Sequence, residues 1–104
     1  INICMSRNLC RHADLGRTGH ICTTVIGARA TQGAVFANNR QVLRRGDPAF
    51  PHLIRRGKFC VGHSAKVNSG SSSVFCQGIP VARVGDSFDR GRMIRGSGNV
   101  FAGG

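Results

Sequence analysis

The chain has 104 residues, which suits one domain with a modest apolar core and excludes a multidomain enzyme. It contains 15 Gly, six Phe and no Trp or Tyr, so we expect disulfides, a structural metal or a partner chain to add to its stability. The net charge of +11 would attract phosphates or anionic lipids. A basic zinc-binding module for nucleic acid is therefore one candidate function, although the charge is not accompanied by an aromatic stacking platform or a helical reading motif.

Short apolar, β-branched runs between Gly, Asn, Asp and Ser predict an all-β protein, because no window keeps the spacing of a helix. Asn38-Asn39 and Gln77-Gly78 are predicted tight turns. Residues 1–11 precede the repeats described below and are not assigned. The predicted strands are 21–26, 33–37, 41–44, 57–61, 65–68, 73–76, 79–84, 92–95 and 99–102.

Three units of similar sequence follow one another along the chain, which is the pattern of an internal repeat. The letters VLRRGD at 42–47 resemble VARVGD at 81–86, and each unit contains one Val-Phe pair. The approximate repeats are 12–41, 42–80 and 81–104, within a single domain 1–104. Asp47 and Asp86 end the matching segments, where we expect them to stabilise turns rather than take part in catalysis.

One spacing is shared by the three units. His20, His63 and Asp89 each lie seven residues before a glycine, which is Gly27, Gly70 or Gly96. If the three units surround one axis, these three side chains are predicted to converge. Imidazole and carboxylate groups are metal ligands, so the sequence predicts a metal site there.

The C-terminal segment IPVARVGD, followed by RGRMIRGSGNVFAGG, resembles the PAAR (proline-alanine-alanine-arginine) repeat family, with Pro80-Val81-Ala82-Arg83 at the signature. The resemblance implies a small, metal-binding cone with pseudo-three-fold symmetry. It also implies a structural protein that forms the spike tip of a contractile phage tail or a type VI secretion system. One copy would cap the homotrimeric spike, with the metal near the apex.

The family's ligand pattern implies a zinc site, with iron possible, made by His20, His52, Cys60 and His63. Cys60 precedes His63 in the Cys-x-x-His arrangement that the family often shows. Asp89 stays open as the alternative to His52, since it occupies the position of the other two histidines. Lesser candidates are His12 and Cys22.

The five cysteines are an odd number, so they cannot all pair within one chain. They are Cys4, Cys10, Cys22, Cys60 and Cys76. No leader segment or membrane span is predicted, so we expect synthesis in a reducing cytoplasm, where thiols favour metal binding over disulfides. Cys76 aligns with Ala37 and Ala102 and is predicted to fill a small buried position.

We do not expect an enzyme, because the chain has no Glu and its four Asp do not assemble with a base and a nucleophile. The predicted function is a structural spike tip that helps to pierce the target envelope. A phage tail is favoured over type VI secretion because the chain ends two residues after Ala102. The predicted location is the tip of the tail baseplate in the virion, with transient contact to the target outer membrane.

Overall fold

The structure, a computed structural model, describes residues 6–104. These residues form short β-strands and no helix, which confirms the all-β class, and none could cross a membrane as a helix. The strands are β1 Arg7–Asn8, β2 Leu15–Arg17, β3 Val25–Gly27, β4 Phe36–Ala37, β5 Arg40–Gln41, β6 His52–Arg56, β7 Phe59–His63, β8 Phe75–Cys76, β9 Ile79–Pro80, β10 Ser87–Phe88, β11 Gly91–Met93 and β12 Phe101–Ala102.

The largest sheet has four antiparallel strands in the order β10-β11-β2-β3, and the other strands form the pairs β1-β12, β4-β5, β6-β7 and β8-β9. The predicted strands miss β1, β2, β6 and β10. In β2, Gly16 weakens the sequence signal for a strand. The structure needs glycine there because the ring of Phe88 occupies the space that a Cβ would fill. Before β6, Pro51 suggests a turn, yet proline is compatible with the start of a strand.

Three turns repeat one set of hydrogen bonds, and they run from Arg11 to Asp14, from Arg44 to Asp47 and from Arg83 to Asp86. In each turn the carboxylate accepts a hydrogen bond from the arginine's backbone N–H, at 2.7, 2.8 and 2.7 Å. The aspartate's own N–H donates to the arginine's carbonyl. The predicted turn role of Asp47 and Asp86 is therefore correct, and Asp14 has the same role; in each turn the bonded N–H lies three residues before the aspartate.

The three segments that lead into these turns meet in the core. Cys10 N–H donates to Ala82 O at 2.9 Å, Ala82 N–H donates to Leu43 O at 2.9 Å, and Leu43 N–H donates to Cys10 O at 3.0 Å. The three hydrogen bonds form a closed ring, and all three residues are fully buried. Sequence segments far apart in the chain are thus joined at one place.

Three strand pairs carry the Val-Phe segments, and the third pair is made by the two ends of the described chain. Val42 N–H bonds to Val35 O and Val81 N–H to Val74 O within single hairpins, both at 3.1 Å. In the third pair, Leu9 N–H bonds to Val100 O at 2.9 Å. Strand β1 therefore supplies the partner that a hairpin supplies elsewhere.

A small buried cluster lies beneath these three strand pairs. Ala37, Cys76 and Ala102 are 6%, 3% and 2% exposed and belong to this cluster. The prediction that Cys76 fills a small buried position is confirmed. A second cluster, around Phe88 and Met93, packs against the four-stranded sheet.

Candidate metal centre

Four side chains from different parts of the chain converge at one site. His52 and His63 begin β6 and end β7, and the strand register places them directly opposite each other. His20 lies in the connection between β2 and β3, and Asp89 lies in the turn between β10 and β11. The positions predicted from the shared seven-residue spacing thus come together, and His52 joins them.

Asp89 contacts all three imidazoles of this His-Asp cluster. Its Oδ2 lies 2.7 Å from His20 Nε2 and 2.9 Å from His52 Nε2, and its Oδ1 lies 3.1 Å from His63 Nε2. The rings of His20 and His52 are stacked with centroids 5.4 Å apart, and the ring of His63 stands edge-on to both. Three Nε2 atoms therefore point at one carboxylate.

Backbone carbonyls orient two of the imidazoles. His52 Nδ1 lies 2.9 Å from Phe50 O, and His20 Nδ1 lies 3.3 Å from Ile21 O. A carbonyl oxygen only accepts hydrogen bonds, so each of these Nδ1 atoms carries a proton. In a neutral ring the Nε2 lone pair then faces the cluster, which is the arrangement found in metal-bound histidines.

The cluster is shielded from solvent. The side chains of His20, His52, His63 and Asp89 are 6%, 1%, 17% and 2% exposed. Burial alone would raise the pKa of Asp89, but hydrogen bonds from His63, His52 and His20 outweigh burial and lower this pKa below its ordinary value. Asp89 is therefore an ionised carboxylate within a group of imidazoles.

This donor set fits a divalent cation. The four ligand atoms all lie within 4.8 Å of one another. Tetrahedral zinc, with bonds of about 2.0 Å to nitrogen and oxygen, holds neighbouring ligands about 3.3 Å apart, close to the nitrogen–oxygen distances above. Without a cation, His20 and His52, whose Nδ1 atoms already carry protons, could donate hydrogen bonds to Asp89 only as charged imidazolium rings, and placing two such charges in one buried site is costly.

Cys60, predicted as a ligand, does not lie in the cluster. Its sulfur is bonded to Cys22, with the two Cα atoms 5.9 Å apart. Cys60 and His63 are three residues apart in β7, so their side chains point to opposite faces of the hairpin. The Cys-x-x-His spacing would bring both to one metal in a loop, whereas in a strand it separates them.

The disulfide also changes the expectation that the thiols stay reduced. Cys10 and Cys76 are free and buried, and burial raises the pKa of each thiol, which disfavours the metal-binding thiolate. Cys4 lies outside the described residues. His12 accepts a hydrogen bond from Ala30 N–H through Nδ1 and is not part of the cluster.

A separate surface carries the three Val-Phe pairs. Phe36, Phe75 and Phe101 are 53%, 55% and 54% exposed, and with their neighbouring valines they line one shallow apolar groove. We call these three pairs the Val-Phe face. Similar side chains with similar exposure from three parts of the chain suit a partner with three similar contact sites.

These features define a small all-β protein with a candidate metal centre and an exposed apolar face. Residues 60–104, which include β7 to β12, match a family model described as PAAR motif. The match confirms the resemblance to the PAAR-repeat family over this segment, and that family has a structural, spike-tip role in contractile injection systems and associates with the spike trimer. No curated protein sequence matches the chain.

Proposed function

We propose that the protein is the metal-bearing tip of a contractile phage tail, where it caps the trimeric central spike and helps to pierce the target envelope. The observation that carries this proposal is the convergence of three histidines and Asp89 from three parts of the chain. A type VI secretion spike would use the same contacts. The role is mechanical and requires no catalysis.

The metal that we propose is zinc, bound by His20, His52, His63 and Asp89, with iron as the alternative. A closed set of four protein ligands is typical of a structural zinc site. Replacing the predicted thiolate by a carboxylate makes the donor set harder, which improves the fit to iron. The metal would join β6, β7 and two turns in a region where the chain has little apolar core.

The Val-Phe face is the surface that we propose for docking. The repeated turns, the ring of three backbone hydrogen bonds and the three similar strand pairs support a pseudo-three-fold arrangement. One copy could then offer one Val-Phe pair to each subunit of a trimer. The exposed fractions of the three phenylalanines are nearly equal, as this arrangement requires.

The metal content of purified protein tests this proposal. We expect one zinc or iron per chain, and we expect His52→Ala and Asp89→Asn each to lose most of the metal and to lower the melting temperature. The physical reason is that a structural metal's binding energy is part of the folding energy. Elemental analysis and calorimetry measure the two effects on the same samples.

His12→Ala is the matched control, because it removes an imidazole that lies outside the cluster. It should keep the full metal content. A wild-type protein without stoichiometric metal, or equal metal loss in the His12 and His52 variants, would contradict the proposed centre.

A further inference from the structure

The β6-β7 hairpin exposes apolar side chains that neither the metal cluster nor the Val-Phe face uses. Residues 55–62 are all exposed. Phe59 is 72% exposed, more than any other large apolar side chain in residues 6–104. Leu53 and Val61, also on the hairpin, are 44% and 38% exposed, and Ile21, in the loop that bonds to β6, is 53% exposed.

The end of the same hairpin is positively charged. Arg55, Arg56 and Lys58 lie within four residues around a two-residue turn, in which Gly57 has a φ of 60°. The ion pairs in residues 6–104 include none of these three cations. Cations and apolar groups are therefore adjacent and exposed on one element.

No acidic side chain lies on the surface beside these cations, because the side chains of all four aspartates in the chain are buried. Asp14, Asp47 and Asp86 are 4%, 2% and 3% exposed, and the side chain of Asp89 is 2% exposed. Each is occupied by hydrogen bonds to arginine, threonine, serine or histidine. An anionic surface that approaches the hairpin meets no side-chain carboxylate.

We propose that the outer part of this hairpin binds the surface of an anionic phospholipid bilayer. Arg55, Arg56 and Lys58 would contact lipid phosphates, while Phe59 and its aliphatic neighbours enter the boundary between headgroups and acyl chains. A nucleic acid would also attract the cations. The observations favour lipid because the apolar side chains near Phe59 are aliphatic, and aliphatic groups enter acyl chains but do not stack on bases.

The geometry of the hairpin suits this contact. Five-residue strands span about 16 Å, which exceeds the about 5–10 Å to which an interfacial segment enters a bilayer. The disulfide from Cys60 to Cys22 attaches the outer half of β7 to the loop that carries Ile21. The apolar residues of the loop and hairpin are thereby held together.

Fluorescence can test the contact directly, because the chain has no Trp. In a Phe59→Trp variant, we expect vesicles of phosphatidylglycerol and phosphatidylcholine to shift the emission to the blue, and vesicles of phosphatidylcholine alone to have little effect. Phe75→Trp places the same probe on the Val-Phe face and should not respond. A shift in the Phe75 variant without a shift in the Phe59 variant would assign lipid binding to the Val-Phe face instead of the hairpin and would overturn the proposal.

Vesicle flotation then measures affinity. The triple variant Arg55→Gln, Arg56→Gln, Lys58→Gln should bind anionic vesicles about 100-fold more weakly, and Phe59→Ser about tenfold more weakly. The matched control, Arg29→Gln with Arg45→Gln and Arg95→Gln, removes the same charge from exposed positions outside the hairpin and should change binding far less.

Two results would overturn the lipid assignment. Equal losses in the two triple variants would mean that binding follows net charge alone. Binding of duplex DNA that needs the hairpin cations, combined with no binding to anionic vesicles, would assign the hairpin to nucleic acid. Metal content and thermal melting, measured on each variant, show that it is folded.

Discussion

Asp89 is suited to the cluster by both its side chain and its backbone. Its carboxylate contacts three imidazoles, and its φ of 54° lies in the left-handed region that Asp adopts more easily than most residues. Its N–H and C=O bond to Lys66 and Asn68. The turn between β10 and β11 is therefore held by hydrogen bonds at both the backbone N–H and the backbone C=O of Asp89.

We expect the disulfide to contribute to the stability of the fold but not to metal binding. Cys60→Ser should keep the full metal content but lose a cross-link worth about 2–4 kcal/mol of unfolding free energy. Elemental analysis and denaturation with and without reductant measure the two effects.

Cys22→Ser is the control for that experiment, because it breaks the same bond without touching the predicted ligand. The two single variants and the double variant should then be equally stable. Loss of metal in Cys60→Ser alone would restore Cys60 as a ligand, as the family pattern implies.

Among the elements, strand β1 is the one that closes the structure. It pairs with β12 in the position that β5 and β9 fill in the other two Val-Phe hairpins. Leu9, which follows β1, is 6% exposed and packs in the cluster with Val42 and Val81. A few N-terminal residues therefore complete the third strand pair.

Leu9→Ala should reduce the unfolding free energy by about 2–4 kcal/mol, because it removes a buried side chain and leaves a cavity. Leu53→Ala makes the same chemical change at a 44% exposed position and should cost less than about 1 kcal/mol. Urea denaturation compares the two. Equal, small effects would show that β1 does not complete the fold in solution.

The sequence could predict the elements whose signals are local, and it failed where strands depend on distant contacts. The Val-Phe pairs and the Arg-to-Asp turns carry regular spacing. The predicted register, however, aligned Gly27 with Gly70 and Gly96, whereas the hydrogen bonds of Gln32, Ser71 and Ser97 place Thr31 at that position.

The candidate site was predictable in part. The seven-residue spacing identified His20, His63 and Asp89, although its glycine register is incorrect for the first repeat. His52 and Asp89 were treated as alternatives, but the pairing of β6 with β7 brings both to the cluster. Whether Cys60 reaches the metal site depends on which face of strand β7 its side chain occupies, and the Cys-x-x-His spacing does not determine that face.

At the scale of the whole molecule, two exposed surfaces of different chemistry are available to different partners. The Val-Phe face is apolar and consists of three similar Val-Phe pairs, while the hairpin combines apolar groups with three cations. If the Val-Phe face docks on a spike, the β6-β7 hairpin stays free to contact a target. One small chain could thus carry two recognition surfaces.

We expect one copy of the protein per spike trimer, because one chain would offer a Val-Phe pair to each of three subunits. Mass photometry of the complex with its spike measures this ratio. Serine at positions 36, 75 and 101 should abolish docking but preserve metal content, since these phenylalanines are more than half exposed. Three copies per trimer would contradict the proposed one-to-three match.

The burial of every acidic side chain has a consequence for how copies of the protein meet in solution. The exterior carries arginine and lysine side chains, while all four aspartate side chains are buried and hydrogen-bonded. Two copies that approach each other therefore present charges of the same sign, and they repel one another. Dissolved salt screens this repulsion, so the repulsion between copies weakens as the ionic strength rises.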